Sequence, residues 1–243
     1  MTPEQEQAVL DLRTRNVAPK QIARQLGLRP AEVSALIKTQ AEQAATARLA
    51  AGELYPLFQC LINQNCLADL LPERQTASAI APSTELEEDA DAGLAVIILS
   101  RKAGFNRLEV CTYLVDLWCL GVKDASGPRM MNPSTYKDFV EFAYRHFLAG
   151  AEDIPLELAQ AIVFGGVEYA KTLGFQPHAD FEQARSQLGK PVEAWSGTPV
   201  LTFGRSGKPC YINGPYDDPI KTLQTLRETV GEGNFDFILG DGN

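Results

Sequence analysis

The stretch Leu94-Ala-Val-Ile-Ile-Leu-Ser-Arg-Lys-Ala-Gly-Phe-Asn-Arg-Leu-Glu-Val-Cys-Thr-Tyr-Leu-Val-Asp-Leu117 decides how the greater part of this chain folds. Leu94 to Leu99 is a dense aliphatic run, and Leu108 to Leu117 is rich in β-branched and aromatic residues, which pack well on a pleated surface. Turn residues between Arg101 and Asn106 separate the two runs, so the segment predicts an antiparallel hairpin.

Outward from that hairpin the pattern turns helical. Asn132-Pro133 caps a helix to about Leu148, Pro155 begins another to Leu173, and Asp180-Phe-Glu-Gln183 reads as a capping box for a short helix stopped by Gly189. A second hairpin is expected from Val200 to Phe203, a turn at Ser206-Gly207, and Cys210 to Asn213. Pro219 to Val230 reads as a helix and Asn234 to Leu239 as a last strand. On the N-terminal side, the apolar segment Leu54 to Leu71 reads as a helix, and residues 73–92, with Glu85, Glu87, Glu88, Asp89 and Asp91, as a flexible acidic loop. Helices and strands are segregated rather than alternating, which predicts an α+β domain over residues 54–239.

Residues 1–50 form a separate module of three helices. Thr2-Pro3 caps the first, with Gln5 read as one residue short of the capping-box position; it presents Val9 and Leu12 and ends near Asn16. Pro19 starts the second, with Ile22, Ala23 and Leu26; Gly27 breaks it, and Pro30 starts the third, with Val33, Leu36 and Ile37. The stretch Pro19 to Lys38 resembles the twenty-residue helix-turn-helix pattern at the positions that packing fixes. Ala23 is small where two helices cross, Gly27 accepts a left-handed turn, and Ile22, Leu26, Leu28, Val33 and Leu36 supply a core. The resemblance implies a third helix that enters the major groove of DNA. Arg29 is then placed to meet guanine or phosphate, Ser34 a base or phosphate, and Lys38 the backbone, with Lys20 and Arg24 anchoring phosphates nearby. So few contacts bind weakly, so a homodimer or a partner already on DNA is expected. A three-helix bundle used as a protein adaptor is the alternative for this module.

Charge divides the chain in the same way. The net charge is −9, but residues 1–50 carry +2 and the remainder −11, so only the module approaches a polyanion without opposition. Of 243 residues, 45% are hydrophobic and 22% charged, which fits a globular protein. No apolar run is long enough for a membrane span, and a cytoplasmic location is expected. Five cysteines, with no CxxC pair and only two histidines, predict reduced, buried thiols rather than a zinc site, so no metal site is expected.

The larger domain offers few candidates for chemistry. Continued as a strand, residues 108–120 place Asp116 on one face among Leu114, Trp118 and Leu120, and Cys119 on the other with Val115 and Leu117. A carboxylate among apolar neighbours is costly unless partnered, which makes Asp116 the first candidate; the plainer reading is that it ends the strand and caps the turn at Gly121-Val-Lys-Asp124. Cys119 as nucleophile, His178 as base and Asp116 or Asp180 as orienter form a hydrolase arrangement. Asp116, Asp124, Asp217 and Asp218 around Mg²⁺ form a nuclease arrangement, although Asp217-Asp218 before Pro219 is better explained as the acidic start of a helix. Gly165-Gly166 inside a helix signals the close approach of another backbone or of a ligand.

The segments Leu114 to Asp124, Gly174 to Phe181, Phe203 to Pro209, Tyr211 to Pro215 and Gly233 to Phe237 together resemble a bacterial family of uncharacterised proteins. That resemblance implies one coherent domain over about residues 54–239 and no established activity, catalytic residues or cofactor. The expectation is a DNA-binding, regulatory protein whose α+β domain takes a small-molecule ligand or a protein partner.

Overall fold

The computed structural model describes residues 1–15, 17–51, 53–70, 93–191 and 201–239. The chain divides into two compact units, Met1–Leu54 and Tyr55–Asn243.

The first unit holds α1 (Pro3–Thr14), α2 (Pro19–Leu26) and α3 (Pro30–Ala51). The Thr2 hydroxyl accepts from Gln5 N–H at 3.3 Å and the Gln5 side chain accepts from Thr2 N–H at 2.9 Å. Gln5 therefore closes a complete capping box, correcting the reading that set it one residue short. Val9, Ile22 and Val33 are wholly buried and Ala23 nearly so, with Leu12, Leu26, Leu28, Leu36 and Ile37 packed around them.

The second unit is a mixed α+β structure built on a five-stranded antiparallel sheet in the order β4-β3-β2-β1-β5. Its strands are β1 (Leu57–Asn63), β2 (Leu94–Gly104), β3 (Arg107–Asp116), β4 (Gly121–Met131) and β5 (Ala151–Asp153). The expected hairpin is β2–β3, with Leu94 opposite Asp116 and Gly104 opposite Arg107. It turns more tightly than expected, because β2 runs on through Arg101 to Gly104 and leaves Phe105-Asn106 as the turn.

Two expectations are corrected here. Leu54 to Leu71 is not one helix: it holds β1 and then the short α4 (Gln64–Leu70). β1 lies inside the sheet between β2 and β5, and Cys60 through Asn63 are all buried, so no alternation marks it as a strand. Residues 117–120 do not continue β3; the chain turns there and returns as β4. The acidic stretch 73–92 lies outside the described residues.

Both faces of the sheet are covered. Ala95, Ile97, Leu99, Cys111, Tyr113 and Val115 pack against α6 (Leu156–Thr172) and α7 (Phe181–Leu188). Ile98, Leu108 and Val110 pack against α5 (Pro133–Tyr144). The period of two therefore holds along β3, with a helix layer on either side. Buried tyrosines tie helices to strands: Tyr113 donates to the carbonyl of Ala184 at 2.8 Å, and Tyr144 to that of Val96 at 3.0 Å.

The second expected hairpin is also corrected. Val200 lies outside the described residues, and β6 (Cys210–Ile212) pairs in parallel with β7 (Asp236–Ile238) instead of with residues 201–203. The turn itself is where expected, with Ser206 and Gly207 at positive φ and Arg205 bridged to Lys208. Its two ends hydrogen-bond to the bend after β3, Gly204 N–H to Leu117 O and Cys210 N–H to Trp118 O. Beside it α8 (Pro219–Thr229) closes a smaller core of Cys119, Leu173, Tyr211, Leu223, Leu226 and Phe235. No helix among the described residues is long and apolar enough to cross a membrane.

Candidate functional site

Two regions carry the candidate residues. In the first unit the bend at Gly27 has φ 65° and ψ 27°, a left-handed conformation that a side chain would strain. Leu28 N–H returns to the Ala23 carbonyl at 2.9 Å, which sets the angle at which α3 leaves. With Val33 facing inward, Ser34 and Lys38 are exposed on α3, Arg29 is exposed in the turn just before it, and Lys20 and Arg24 are exposed on α2. The five residues expected to meet DNA thus lie on the solvent side of a sealed core.

In the second unit the bend that ends β3 opens a cleft of about 740 Å³, lined among others by Leu114, Asp116, Trp118, Lys123, His178 and Tyr216. Asp116 is only 6% exposed, and its carboxylate accepts from three backbone N–H groups: Trp118 at 2.9 Å, Cys119 at 3.0 Å and Leu120 at 3.1 Å. It ends β3, as the plainer reading had it, but the turn it caps is residues 117–120 rather than Gly121 to Asp124, which begin β4. Burial pushes its carboxyl above the ordinary value, while those N–H groups and Lys123 pull the other way.

Lys123, on β4, and Asp217, in the loop before α8, form the polar floor. Lys123 Nζ lies 2.8 Å from Asp217 Oδ2, with both side chains largely buried. Gly214 N–H donates to the same oxygen at 2.7 Å, and a methyl group at Gly214 would stand 2.9 Å from Lys123 Nζ. The loop is thus clamped to β4, and it holds Tyr216 almost fully exposed at the rim. Sequence reasoning gave Lys123 no role. Its one signal was a lysine two residues past a glycine in an apolar run, read as a turn.

The expected constellations separate. Cys119 is wholly buried in the smaller core, and burial first, then Asp116, push its thiol well above the ordinary value. It is not among the residues that line the cleft, whereas His178 is, so the hydrolase set is not brought together. The four aspartates of the Mg²⁺ set are also divided. Asp116 serves backbone N–H groups, Asp217 pairs with Lys123, and Asp218 caps α8 by accepting from Lys221 N–H at 3.1 Å.

Asp124, His178 and Asp180 do converge. His178 is fastened to β4 by its N–H to the Val122 carbonyl at 2.9 Å. Its Nδ1 lies 3.9 Å from Asp124 Oδ1 and 3.7 Å from Asp180 Oδ2. Asp180 stands at the N-cap of α7, yet its side chain makes no cap hydrogen bond. The expected capping box is therefore absent, and the first N–H groups of the helix donate instead to the carbonyls of His178, Ala179 and Asp180.

The close approach signalled by Gly165-Gly166 involves backbone. A methyl group on Gly121 would meet the Gly166 carbonyl oxygen at 2.6 Å, and one on Gly165 would meet the Phe203 ring at 2.7 Å. No family model matches the chain, and neither a curated protein nor a solved structure does.

Proposed function

We propose that the chain is a DNA-binding regulatory protein whose first unit reads a duplex and whose α+β unit takes a small molecule in the cleft beside Trp118. The observation that carries this reading is the left-handed bend at Gly27, which seals Val33 inside and turns Arg29, Ser34 and Lys38 out from the start of α3. Major-groove helices present their first turns to base edges in this way, and exposed Lys20 and Arg24 add phosphate contacts. The cleft supports the second half of the proposal, because its volume is in the range that holds small organic ligands. A single module of this size binds weakly, so two copies on one site are part of the proposal.

Fluorescence anisotropy or mobility shifts of the intact protein on duplex DNA at several salt concentrations test it. Each lost phosphate contact lowers the slope of log K against log salt by about 0.9, so the Arg29→Ala, Lys38→Ala variant should bind less tightly with a slope shallower by up to about 2. Equal, salt-insensitive behaviour of both proteins would overturn the reading.

A further inference from the structure

We infer that Asp124, His178 and Asp180 form a binding site for a divalent transition-metal ion at the mouth of the cleft. The donor set is one imidazole nitrogen and two carboxylate oxygens, which suits borderline ions such as Zn²⁺, Co²⁺ or Ni²⁺. One donor atom from each residue lies within 4.8 Å of the others. Bonds of about 2.1 Å at a tetrahedral ion place its ligands roughly 3.4 Å apart. The separations of 3.7 and 3.9 Å around Nδ1 therefore close on an ion with small rotations of exposed side chains. The Asp180 N–H that lies 3.4 Å from Nδ1 makes a long hydrogen bond, which the ion would replace.

A further observation points to a cation. The Asp180 carboxylate lies beside His178 and makes no hydrogen bond to the helix it begins, whose first N–H groups donate to backbone carbonyls. Among the described residues no lysine or arginine pairs with either carboxylate; the neighbouring Lys123 is held by Asp217. Two carboxylates thus face one ring nitrogen at a place where a cation offsets their repulsion. Nε2 keeps the ring proton when Nδ1 holds the metal. Three protein ligands leave a position for water or for a ligand in the cleft, since Asp124 and His178 also line it. The site does not depend on the DNA reading and stands if that reading fails.

The test uses the full chain, reduced and stripped with a chelator. Titration with Co²⁺ should give one bound ion with weak d–d bands and no thiolate charge-transfer band, and calorimetry with Zn²⁺ should give the same stoichiometry. His178→Ala and Asp124→Asn should each weaken binding at least about tenfold, because loss of a ligand costs no less than loss of the groups that orient one. Both sites are exposed, and circular dichroism checks that the variants fold. Asp180→Asn should weaken the metal while leaving the metal-free unfolding midpoint unchanged, whereas a purely structural role for Asp180 would lower that midpoint. Absence of binding, a thiolate band, or weak binding that His178→Ala does not alter would overturn the proposal, the last showing an adventitious ion only.

Discussion

Gly121 and Gly166 touch backbone to backbone: a methyl group built on Gly121 would stand 2.6 Å from the Gly166 carbonyl oxygen and 2.7 Å from the Ala170 side chain. The contact seats α6 on the sheet where β4 begins, one residue before Val122 enters the core and two before Lys123 reaches Asp217.

Gly121→Ala should therefore destabilise strongly. It meets the carbonyl and also carries φ 65°, so a loss of about 3 kcal/mol is expected from left-handed strain and overpacking together. Gly166→Ala should cost less. Its methyl group meets Val115 Cγ1 at 2.8 Å, and a helix interior favours alanine over glycine by roughly 1 kcal/mol. Urea unfolding of the two variants checks the order, and an equal or reversed order would show that the packing is not as described.

Asp116 sets a pH dependence whose sign follows from its raised folded value. Below the ordinary value of 3.8 both folded and unfolded states hold the proton, and ionisation exacts nothing. As pH rises through the higher folded value, the native state ionises less readily than the unfolded chain, and stability is lost. Asp116→Asn does not titrate; it keeps acceptors for Trp118 and Cys119 but turns an amide NH₂ towards Leu120 N–H. The variant should be less stable than the parent at pH 4, with the gap narrowing towards pH 7. Asp116→Ala, which leaves three N–H groups without an acceptor, should lose about 3 kcal/mol or more. Urea midpoints between those pH values test this, and a gap that widens with pH would mean that the N–H donors outweigh burial.

All five cysteines are buried, and burial pushes Cys60 and Cys111 up to about 12. Cys119 and Cys210 are also raised, with burial as the first cause. The native protein should therefore leave a disulfide reagent at pH 8 almost unconsumed, and all thiols should react once urea unfolds it. Rapid reaction of Cys119 alone in the native protein would restore the nucleophile that the fold argues against.

Much of the fold was legible because local chemistry agreed with it. Thr2, Asn132 and Asp218 cap the helices that follow them, Gly27 bends left, and β2 and β3 pair over the segment that their composition marked. The elements that escaped are those whose neighbours override local pattern. β1 is buried on both faces and so lacks alternation, while β4 carries Gly127-Pro128, a turn-like pair that an edge strand tolerates. The strand partner of Cys210 to Ile212 comes from residues 236–238, far along the chain, where the nearer candidate made a plausible hairpin.

By itself the order of residues determined the class of the fold, the three helices of the first unit with the bend at Gly27, and the burial of the thiols. These depend on spacing along the chain, on caps within one turn and on the cost of exposing apolar groups. The tertiary structure alone decided which carboxylates meet which partners. Asp116 turned to backbone N–H groups, Asp217 to Lys123, and Asp124 and Asp180 to His178, through distances that strand pairing and helix docking set. Electrostatic and coordinating contacts act over a few ångströms in space, and a separation in sequence carries almost no information about them.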